Sequence, residues 1–420
     1  MTLSEELTWR GFANQTTFKD VTALDGEPIT FYWGVDPSAD SMTVGNLAIA
    51  MMVKHFIRAG HKAVLLVGGA TGLIGDPDGK SEERTLKSLE EIAGNKTKIT
   101  EQYQTIFGGQ SFDLVDNYDW FKDMGYLEFL RDVGKHVPLR QMLSRDFVQA
   151  RLGEGGAGIS YAEFSYSLIQ GYDFLHLHRE MGVSLQVCGA DQWGNCIAGV
   201  ELVRRITGNE AHIWSAPLVI NKTTGKKFGK TEGGAVWLDP TKTSPAEYYQ
   251  FWVNSDDAGV EEYLKIYTML SKDDIEHVMA EFTQDKSGRA AQKLLAFEAT
   301  KLVHGEQAAE AARIQAESLK YRTFTVNISD KLTIQDAADI GIAAPFFTVK
   351  SGASIIETLH ASGLATSKSE ARQLLADNGV YVNDQQVSRE FFEDSDFQDG
   401  KLALRRGKKL QNTKIIVLEK

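Results

Sequence analysis

The amino-acid sequence predicts an α/β protein in which a doubly wound parallel sheet is followed by an all-helical region and a small C-terminal α+β module. Three observations predict this class. Short apolar segments of strand length alternate with helical patterns in the first half of the chain, long helical patterns begin near Ser244, and a compact segment with a basic end closes the chain. The 420 residues leave room for more than one domain.

The strands and helices of the first half alternate along the chain. Ile29–Asp36 is a strand candidate, and Ala63–Gly69 is a continuous apolar run, as expected for a strand buried on both faces. Between them, Thr43–Ala59 has apolar side chains near helical spacing. Two later segments are further strand candidates: Ser184–Cys188 and Ala216–Ile220. This order implies parallel strands joined by right-handed crossovers, that is, a Rossmann-like doubly wound sheet.

Changes in the pattern of predicted helices and strands set the predicted domain boundaries. Residues 1–243 form the predicted sheet domain, with an insertion around residues 115–160 whose aromatic side chains have helical spacing. Residues 244–325 carry long helical patterns with few strand signals, residues 326–350 form a predicted linker, and residues 351–420 form the C-terminal module.

The C-terminal module has its own helix and strand signals. Ser354–Ser362 and Ser367–Asn378 are amphipathic, and each begins with a serine suited to cap a helix. Gly379–Val382 follows as a short strand, and a basic hairpin region closes the chain.

Charge and cysteine content exclude several classes of protein. The net charge of −12 argues against non-specific nucleic-acid binding over the whole surface, but residues 401–420 carry seven basic side chains against one acid. This distribution indicates an enzyme with a separate polyanion-binding module, and a solvated tail is about equally compatible. The two cysteines, Cys188 and Cys196, suit a reducing cytoplasm, and the nine histidines form no ligand-spaced metal cluster. No apolar run is long enough to span a bilayer.

The segment Gly34–Asn46 places a strand end, a turn and a helix start in succession. Backbone N–H groups and the hydroxyls of Ser38, Ser41 and Thr43 would meet at a helix N-terminus, which stabilises phosphate. Gly45 would let an adenine or ribose approach the first helical turn. Such an arrangement is common, and taken alone it is a weak indication of a nucleotide site.

A second segment, Lys226–Gly234, sets two lysines among glycines. Mobile cations at Lys227 and Lys230 that arrive as pyrophosphate leaves would stabilise the transition state more than the ground state. The segment does not have the pattern of a Walker-type phosphate loop. Taken alone, the segment is better interpreted as a solvated basic loop.

A polar stripe runs along the predicted helix Tyr161–Arg179. Tyr166, Gln170 and Asp173 are spaced to stand on one helical face, and this stripe is either a pocket wall or a solvent face. The scarcity of charge favours the pocket. Two loops that follow predicted strands add further polar groups, namely Asp76, Asp191 and Gln192.

Taken together and in order, these segments resemble the bacterial tyrosyl-tRNA synthetases. The matching strings are GGATGLIGDP, EFSY, DQWGN, KFGKTEGGAVWLDP, KTSP, YQFW and LVHGE, and the resemblance covers roughly Trp9 to Leu418. It implies a helical anticodon-binding domain at residues 244–325. KSEARQLLADNGVYVN and LRRGKK are similar to the RNA-binding module of ribosomal protein S4, which implies an S4-like domain at residues 351–420.

The resemblance implies a reaction in two steps, in which L-tyrosine is activated by ATP to tyrosyl-adenylate and then passed to the terminal adenosine of tRNA(Tyr). It implies a set of residues that bind tyrosine: Tyr32, Asp76, Tyr166, Gln170, Asp173 and Gln192. It implies a set that faces ATP or the adenylate: Gly34, Asp36, Gly45, Asp191 and Lys230. The implied catalytic group on the phosphates is Ser38, Thr43, Asn46, Lys227, Lys230 and Thr231.

The resemblance also implies partners. ATP would enter as its Mg²⁺ complex, with no tightly bound cofactor and no protein-held metal. A homodimer would form through the insertion around Trp120–Leu143, and the location would be cytoplasmic, without membrane association. Basic side chains of the C-terminal module would contact tRNA phosphates: Lys368, Arg372, Arg405, Arg406, Lys408 and Lys409.

One departure from the family pattern concerns the phosphate site. The family's His-x-Gly-His signature is here Thr43-Val44-Gly45-Asn46, and Ser38 stands where the family usually has threonine. We hypothesise that the first step therefore depends more heavily on Lys227, Lys230 and the helix N-terminus. Two rival functions remain open at this point: a tryptophanyl enzyme, and an RNA-binding or regulatory protein that keeps the fold.

Overall fold

The chain divides into two compact units, Met1–Ala309 and Glu310–Lys420. The computed structural model describes residues 1–77, 85–231, 234–320, 347–350, 352–383, 385–397, 400–407 and 413–418. Each unit has its own sheet and its own apolar core.

The first unit is built on a six-stranded sheet in the order β1-β6-β5-β2-β3-β4. Its strands are β1 (Gln15–Thr16), β2 (Thr30–Val35), β3 (Lys62–Val67), β4 (Phe112–Asp116), β5 (Leu185–Gly189) and β6 (His212–Ala216). All neighbours pair in parallel except the edge strand β1, which pairs antiparallel with β6. The order reverses at β2, between β5 and β3, so the predicted doubly wound sheet is confirmed and its crevice opens at the carboxyl ends of these strands.

Helices connect and cover the strands. In chain order they are α1 (Leu3–Arg10), α2 (Val44–Arg58), α3 (Thr71–Ile74), α4 (Leu89–Ile106), α5 (Tyr118–Phe121), α6 (Tyr126–Asp132), α7 (Leu139–Leu143), α8 (Asp146–Leu152), α9 (Tyr161–Met181) and α10 (Trp193–Thr207). Local chemistry fixes the ends of α9, since Ser160 caps the first turn by accepting from the Glu163 N–H, and Gly182 ends it with φ of 67°. The insertion is a set of short helices, α5 to α8.

Two strand assignments differ from the sequence analysis. The predicted strand Ala216–Ile220 is wrong, because β6 ends at Ala216 and the apolar residues after it lie in a loop. Pro217 has no N–H to continue the ladder, and the true strand was hidden by polar His212 and Ser215. Strand β4 was not predicted, since the alternating FDLVD pattern at the edge of the sheet carries a weak signal.

A helical region completes the first unit, as predicted. It comprises α11 (Pro245–Val253), α12 (Val260–Tyr267), α13 (Lys272–Gln284), α14 (Ala290–His304) and the start of α15 (Glu306–Lys320). Ser244 and Ser271 cap two of these helices through their hydroxyls. The core of the region is aromatic: Trp252 and Tyr267 lie 4.6 Å apart between ring centroids, and Phe228 stacks on Tyr263 at 4.2 Å. Phe228 lies between the two lysines of the glycine-rich segment and anchors that segment to this core.

The second unit is a small α+β fold with a five-stranded sheet in the order β11-β10-β12-β13-β9. Its elements are β9 (Phe347–Val349), α16 (Ile355–Ala361), α17 (Lys368–Ala376), β10 (Val380–Val382), β11 (Gln385–Val387), β12 (Lys401–Arg406) and β13 (Thr413–Leu418). Both predicted serine caps are confirmed, with Ser354 accepting from the Glu357 N–H and Ser367 from the Glu370 N–H. β12 and β13 form the predicted closing hairpin.

Part of the predicted domain plan falls on residues outside the described ranges. Residues 326–346 of the predicted linker lie there, and its last residues belong to β9, which pairs in parallel with β13. Lys408 and Lys409 also lie outside the described residues. Within the described part of the chain, no helix is both long and apolar enough to span a membrane.

Candidate active site

The predicted site residues gather at the carboxyl edge of the sheet in the first unit. Asp36 follows β2, Asp76 follows the short helix after β3, and Asp191 follows β5. Helix α9 runs alongside and packs against α10 and α3. This is the edge at which doubly wound sheets bind their ligands.

A buried tyrosine and a buried aspartate form the floor of the site. Tyr32 on β2 is 2% exposed, and among the described residues its hydroxyl has no hydrogen-bond partner. Burial and the nearby Cys196 and Asp173 raise the pKa of the Tyr32 phenol well above its ordinary value. A buried hydroxyl without a partner is costly, so this group is suited to a ligand that brings a partner.

Asp173 on α9 is held from two sides. Its Oδ2 accepts from Asn117 Nδ2 at 3.1 Å, and its Oδ1 accepts from Trp120 Nε1 at 2.9 Å. Burial, at 2% exposure, raises the pKa of its carboxyl well above the ordinary value and outweighs these two hydrogen bonds. The carboxylate is therefore fixed in position and poorly solvated, which strengthens any further hydrogen bond to it.

A second carboxylate is bound by the same helix. Tyr166 donates its hydroxyl to Asp36 Oδ2 at 2.7 Å, and Thr71 donates to Asp36 Oδ1 at 2.6 Å. Asn117 Nδ2 also donates to Thr71 Oγ1 at 3.0 Å, so this group is joined to the one around Asp173. The two carboxylates thus belong to one hydrogen-bonded network.

The third group lies where β5 leads into α10. Gln192 Nε2 donates to Asp76 Oδ2 at 2.6 Å. Asn195 Nδ2 lies 3.1 Å from Gln192 Oε1 and 3.4 Å from Asp76 Oδ1. Gln170 faces the same side, with its Nε2 3.9 Å from Cys196 Sγ and its buried Oε1 without a partner among the described residues.

Burial decides between the two interpretations of the polar stripe on α9. Tyr166 and Asp173 are buried and Gln170 is half-buried, so the solvent-face alternative is excluded.

The start of α2 forms the opposite side of the site. Asn46 Oδ1 accepts from both the N–H and the hydroxyl of Thr43, each at 2.9 Å. The amide is planar, so its Nδ2 points away from Thr43 and can donate elsewhere. Ser38 is exposed, as a phosphate contact requires.

Ser41 does not join this group, and the expectation that its hydroxyl faces a phosphate is wrong. It is 5% exposed and donates to Met42 O at 2.8 Å. It also accepts from Gln102 Nε2 at 2.8 Å and from the Asp239 N–H at 3.1 Å. Its hydrogen bonds are therefore used to fix the turn before α2.

The glycine-rich lysine segment rests on the first turn of α2. The Val44 N–H donates to Val236 O at 3.0 Å, and the Val236 N–H donates to Gly229 O at 2.9 Å. Gly229 has φ of 83°, and a Cβ there would come within 3.3 Å of Val44 Cβ. Both the left-handed backbone conformation and the close approach of Val44 therefore favour glycine at this position. The lysine segment and the helix N-terminus, predicted separately from sequence, are thus neighbours.

The lysine segment itself forms a short hairpin of β7 (Lys230–Thr231) and β8 (Gly234–Ala235). Lys227 Nζ lies 3.4 Å from Asp191 Oδ2, and both side chains are nearly half exposed, at 46% and 44%. The side chains of Lys230 and Thr231 lie outside what the structure describes. An exposed ion pair of this kind exchanges partners at little cost.

Several residues of the site were not found from the sequence. Thr71 and Asn195 are uncharged members of motifs in which other residues drew attention, whereas Asn117 and Trp120 lie in the insertion, for which the sequence analysis predicted helices and a dimer contact but no site residue. A signal for Asn195 was available, since it is one helical turn from Gln192 and so shares its face. No local signal joins Trp120 to Asp173, because 53 residues separate them.

Basic side chains of the second unit are partly engaged. Lys368 Nζ pairs with Glu357 at 2.6 Å, Arg406 pairs with Glu370 at 2.8 Å, and the Arg405 guanidinium lies 4.9 Å from the ring centroid of Tyr381.

Comparison with known proteins gives the same family over most of the chain. Residues 24–319 match the model of class I tRNA synthetases for tryptophan and tyrosine (W and Y), and residues 337–412 match that of the tyrosine–tRNA ligase SYY-like C-terminal domain.

Individual relatives agree with these models. The tyrosine–tRNA ligase of Bacillus caldotenax is 43% identical over 92% of each chain, and that of Citrobacter koseri is 44% identical over 97% of this chain and 96% of its own. A C-terminally truncated mitochondrial tyrosyl-tRNA synthetase of Aspergillus nidulans superposes with a TM-score of 0.69 at 32% identity, covering 76% of this chain and 94% of its own. Because both family models and these relatives agree over nearly the full length, the chain belongs to the tyrosyl-tRNA synthetases, class I aminoacyl-tRNA ligases.

Proposed function

We propose that this chain is a tyrosine–tRNA ligase that activates L-tyrosine with ATP and transfers it to the 3′-terminal adenosine of tRNA(Tyr). The observation that carries the proposal is the pair of buried groups on the pocket floor, the unpartnered Tyr32 hydroxyl and the fixed Asp173 carboxyl. Together they are suited to a ligand whose far end both donates and accepts a hydrogen bond, as a phenol does.

This floor supplies selectivity against phenylalanine. A phenylalanine ring would fill the same space but leave the Tyr32 hydroxyl and Asp173 without a new partner inside a dry pocket. Leaving buried polar groups unpaired costs more than the net gain from pairing them. Selection therefore needs no second, editing site.

The amino-acid backbone of the substrate would lie against the second and third groups. Asp76, Tyr166 and Gln170 supply oxygens to its ammonium group, and Gln192 lies near its carboxylate. Asp36 accepts a hydrogen bond from the Tyr166 hydroxyl. Asp36 would therefore orient the Tyr166 hydroxyl in addition to facing the adenylate. The carboxylate of tyrosine would then point toward the start of α2.

ATP would be bound between β2, β5 and the N-terminus of α2. Gly34 and Gly45 leave space for the nucleoside, and Asp191 can accept from ribose hydroxyls. The phosphates, entering with Mg²⁺ as part of the substrate, would meet the N–H groups of α2 together with Ser38, Thr43 and Asn46.

Adenylate formation and transfer require the enzyme to position the reactants and to stabilise developing charge. The tyrosine carboxylate oxygen attacks the α-phosphorus, the bond to the β-phosphate oxygen breaks, and pyrophosphate leaves with both electrons of that bond. Lys227, Lys230 and Thr231 would stabilise the charge that develops on pyrophosphate. In the second step a ribose hydroxyl of tRNA attacks the acyl carbon and AMP leaves, so no covalent bond to the enzyme is required.

Surface features support the proposed homodimer and the binding of tRNA. Several large apolar side chains in and beside the insertion are more than half exposed, as a homodimer interface requires: Tyr126, Leu127, Leu139, Leu152 and Tyr161. Lys368, Arg372, Arg405, Arg406, Lys408 and Lys409 would contact tRNA phosphates through the S4-like domain, and residues 244–325 would receive the anticodon. The two free cysteines suit a cytoplasmic location.

ATP–pyrophosphate exchange tests the proposal. The purified chain should catalyse exchange that depends on tyrosine and is far weaker with tryptophan or phenylalanine at equal concentration. Preference for tryptophan would point to the rival specificity. Exchange with none of the three would overturn the proposal in favour of a binding or regulatory protein.

A further inference from the structure

Arg145 reaches from the insertion into the amino-acid site. It lies between α7 and α8, and its Nη1 donates to Asn195 Oδ1 at 2.6 Å, although 50 residues separate the two along the chain. Asn195 is 1% exposed and Arg145 is half-buried, so this hydrogen bond from a charged donor is partly shielded from water.

The contact fixes the direction of every hydrogen bond beyond it. A guanidinium only donates, so the oxygen of the Asn195 amide must face Arg145. The amide nitrogen must then face Gln192 Oε1 and Asp76 Oδ1, at 3.1 and 3.4 Å. Gln192 in turn presents its own nitrogen to Asp76 Oδ2 at 2.6 Å. If Asn195 were reversed, its oxygen would face a carboxylate and another amide oxygen.

A glycine makes room for the guanidinium. Gly194 lies in the first turn of α10, and a Cβ on it would come within 2.9 Å of Arg145 Nη2 and 3.0 Å of Nε. Because those atoms end a flexible side chain, an added methyl group would displace the guanidinium and leave the helix in place. The glycine of the DQWGN string is thus part of the same arrangement.

We propose that Arg145 is a positioning residue for tyrosine binding, which acts through Asn195 to set the orientation of Gln192 and Asp76. This inference rests on the proposed function, since those two side chains are the ones assigned to the carboxylate and ammonium groups of the substrate. It adds a third residue of the insertion to the site, beside Asn117 and Trp120, which hold Asp173.

Three variants test it in the full-length protein. Arg145→Ala should raise the dissociation constant for tyrosine about tenfold, the loss expected for one partly buried charge-assisted hydrogen bond. Arg145→Lys keeps a donor-only group and should recover most of that loss. Gly194→Ala should displace the guanidinium and raise the constant in the same direction. Arg131→Ala, which removes a 71% exposed side chain of the same insertion, is the matched control.

Equilibrium dialysis with labelled tyrosine gives the affinity, and pyrophosphate exchange gives KM for ATP and kcat. In Arg145→Ala we expect only the dissociation constant and KM for tyrosine to change, and we expect added guanidinium ion to restore part of the tyrosine affinity. A purely structural role would shift KM for ATP and kcat as well, with no recovery by guanidinium, and would overturn the proposal. The proposal is also overturned if folded Arg145→Ala binds tyrosine with wild-type affinity. If Arg145→Ala does not fold, wild-type tyrosine affinity in Gly194→Ala overturns it. Failure of the wild type to catalyse exchange would instead count against the proposed function.

Discussion

Two sides of the site differ in how their polar groups are held. On the pocket side, Asp173 is buried and each of its oxygens accepts a hydrogen bond from a neighbouring side chain. On the phosphate side, Lys227 and Asp191 form an ion pair of 3.4 Å whose members are nearly half exposed. The first side is set before a ligand arrives, whereas the second can exchange its partners as charge moves.

This difference matches two separate tasks. A rigid, dry pocket would select tyrosine in the ground state, because its fixed polar groups cannot reorient to find other partners. A cation on a hairpin can follow charge onto the leaving pyrophosphate, where stabilisation accelerates the reaction. Substitutions on the two sides should therefore change different kinetic constants.

The largest expected effect is on the phosphate side. Lys230→Ala should lower the rate of pyrophosphate exchange about a hundredfold, since it removes a charge that acts on the transition state. The tyrosine dissociation constant should stay near the wild-type value. Lys226→Ala, an exposed neighbour in the same segment, serves as the control. Equal loss of tyrosine affinity in Lys230→Ala would mean that the segment is structural.

On the pocket side, Tyr32→Phe should raise the tyrosine dissociation constant about tenfold and leave the maximal exchange rate little changed. Affinity for phenylalanine should not fall, so discrimination between the two amino acids narrows. Tyr267→Phe is the matched control, because Tyr267 is likewise buried and its hydroxyl has no partner among the described residues, but it lies in the aromatic core of the helical region. Competition binding with both amino acids measures the effect, and an unchanged ratio contradicts it.

The buried Asp173 should leave a signature in stability against pH. Burial raises the pKa of its carboxyl above the unfolded value, so the group favours the fold at low pH and loses that contribution as pH rises through the folded pKa. The free energy of unfolding of the wild type relative to Asp173→Asn should therefore fall as pH rises from the acid range to neutral. Urea unfolding of both proteins over that range tests it, and a constant difference would rule it out.

The smallest expected effect concerns the altered signature at α2. Thr43→His restores a side chain that can reach further and carry charge, and should raise the rate of adenylate formation about threefold to tenfold. The backbone N–H of residue 43 would still donate to Asn46 Oδ1 in this variant, and only the hydrogen bond from the Thr43 hydroxyl would be lost. A single-turnover assay of adenylate formation decides the matter. An unchanged rate of adenylate formation would contradict the hypothesis that Lys227 and Lys230 compensate for the missing histidine.

Sequence patterns predicted the larger elements well where one local signal dominated. Helix α9 begins at Tyr161 as predicted, because Ser160 caps it and an apolar face follows. The strand predicted at Ala216–Ile220 was misplaced because the prediction rested on the apolar residues of that segment. Pro217, which cannot donate a backbone hydrogen bond to a sheet, is the stronger physical constraint, and the strand ends before it.

The site could be predicted only as far as its motifs reached. Tyr166, Gln170 and Asp173 were found because helical spacing joins them on one face. Arg145 and Asn195 could not be joined in the same way, since their hydrogen bond depends on how the insertion folds back on α10. The burial of Ser41, which turns a predicted phosphate contact into a structural hydroxyl, likewise depends on Gln102 of α4.

We propose that the pocket selects tyrosine and that the lysine segment acts on the transition state. The most direct test is the single-turnover rate of tyrosyl-adenylate formation, measured against tyrosine concentration for the wild type, Tyr32→Phe and Lys230→Ala. Tyr32→Phe should raise the half-saturating tyrosine concentration with little change in the maximal rate. Lys230→Ala should lower the maximal rate with little change in the half-saturating tyrosine concentration. If both substitutions moved both constants together, the division between the two sides would be wrong.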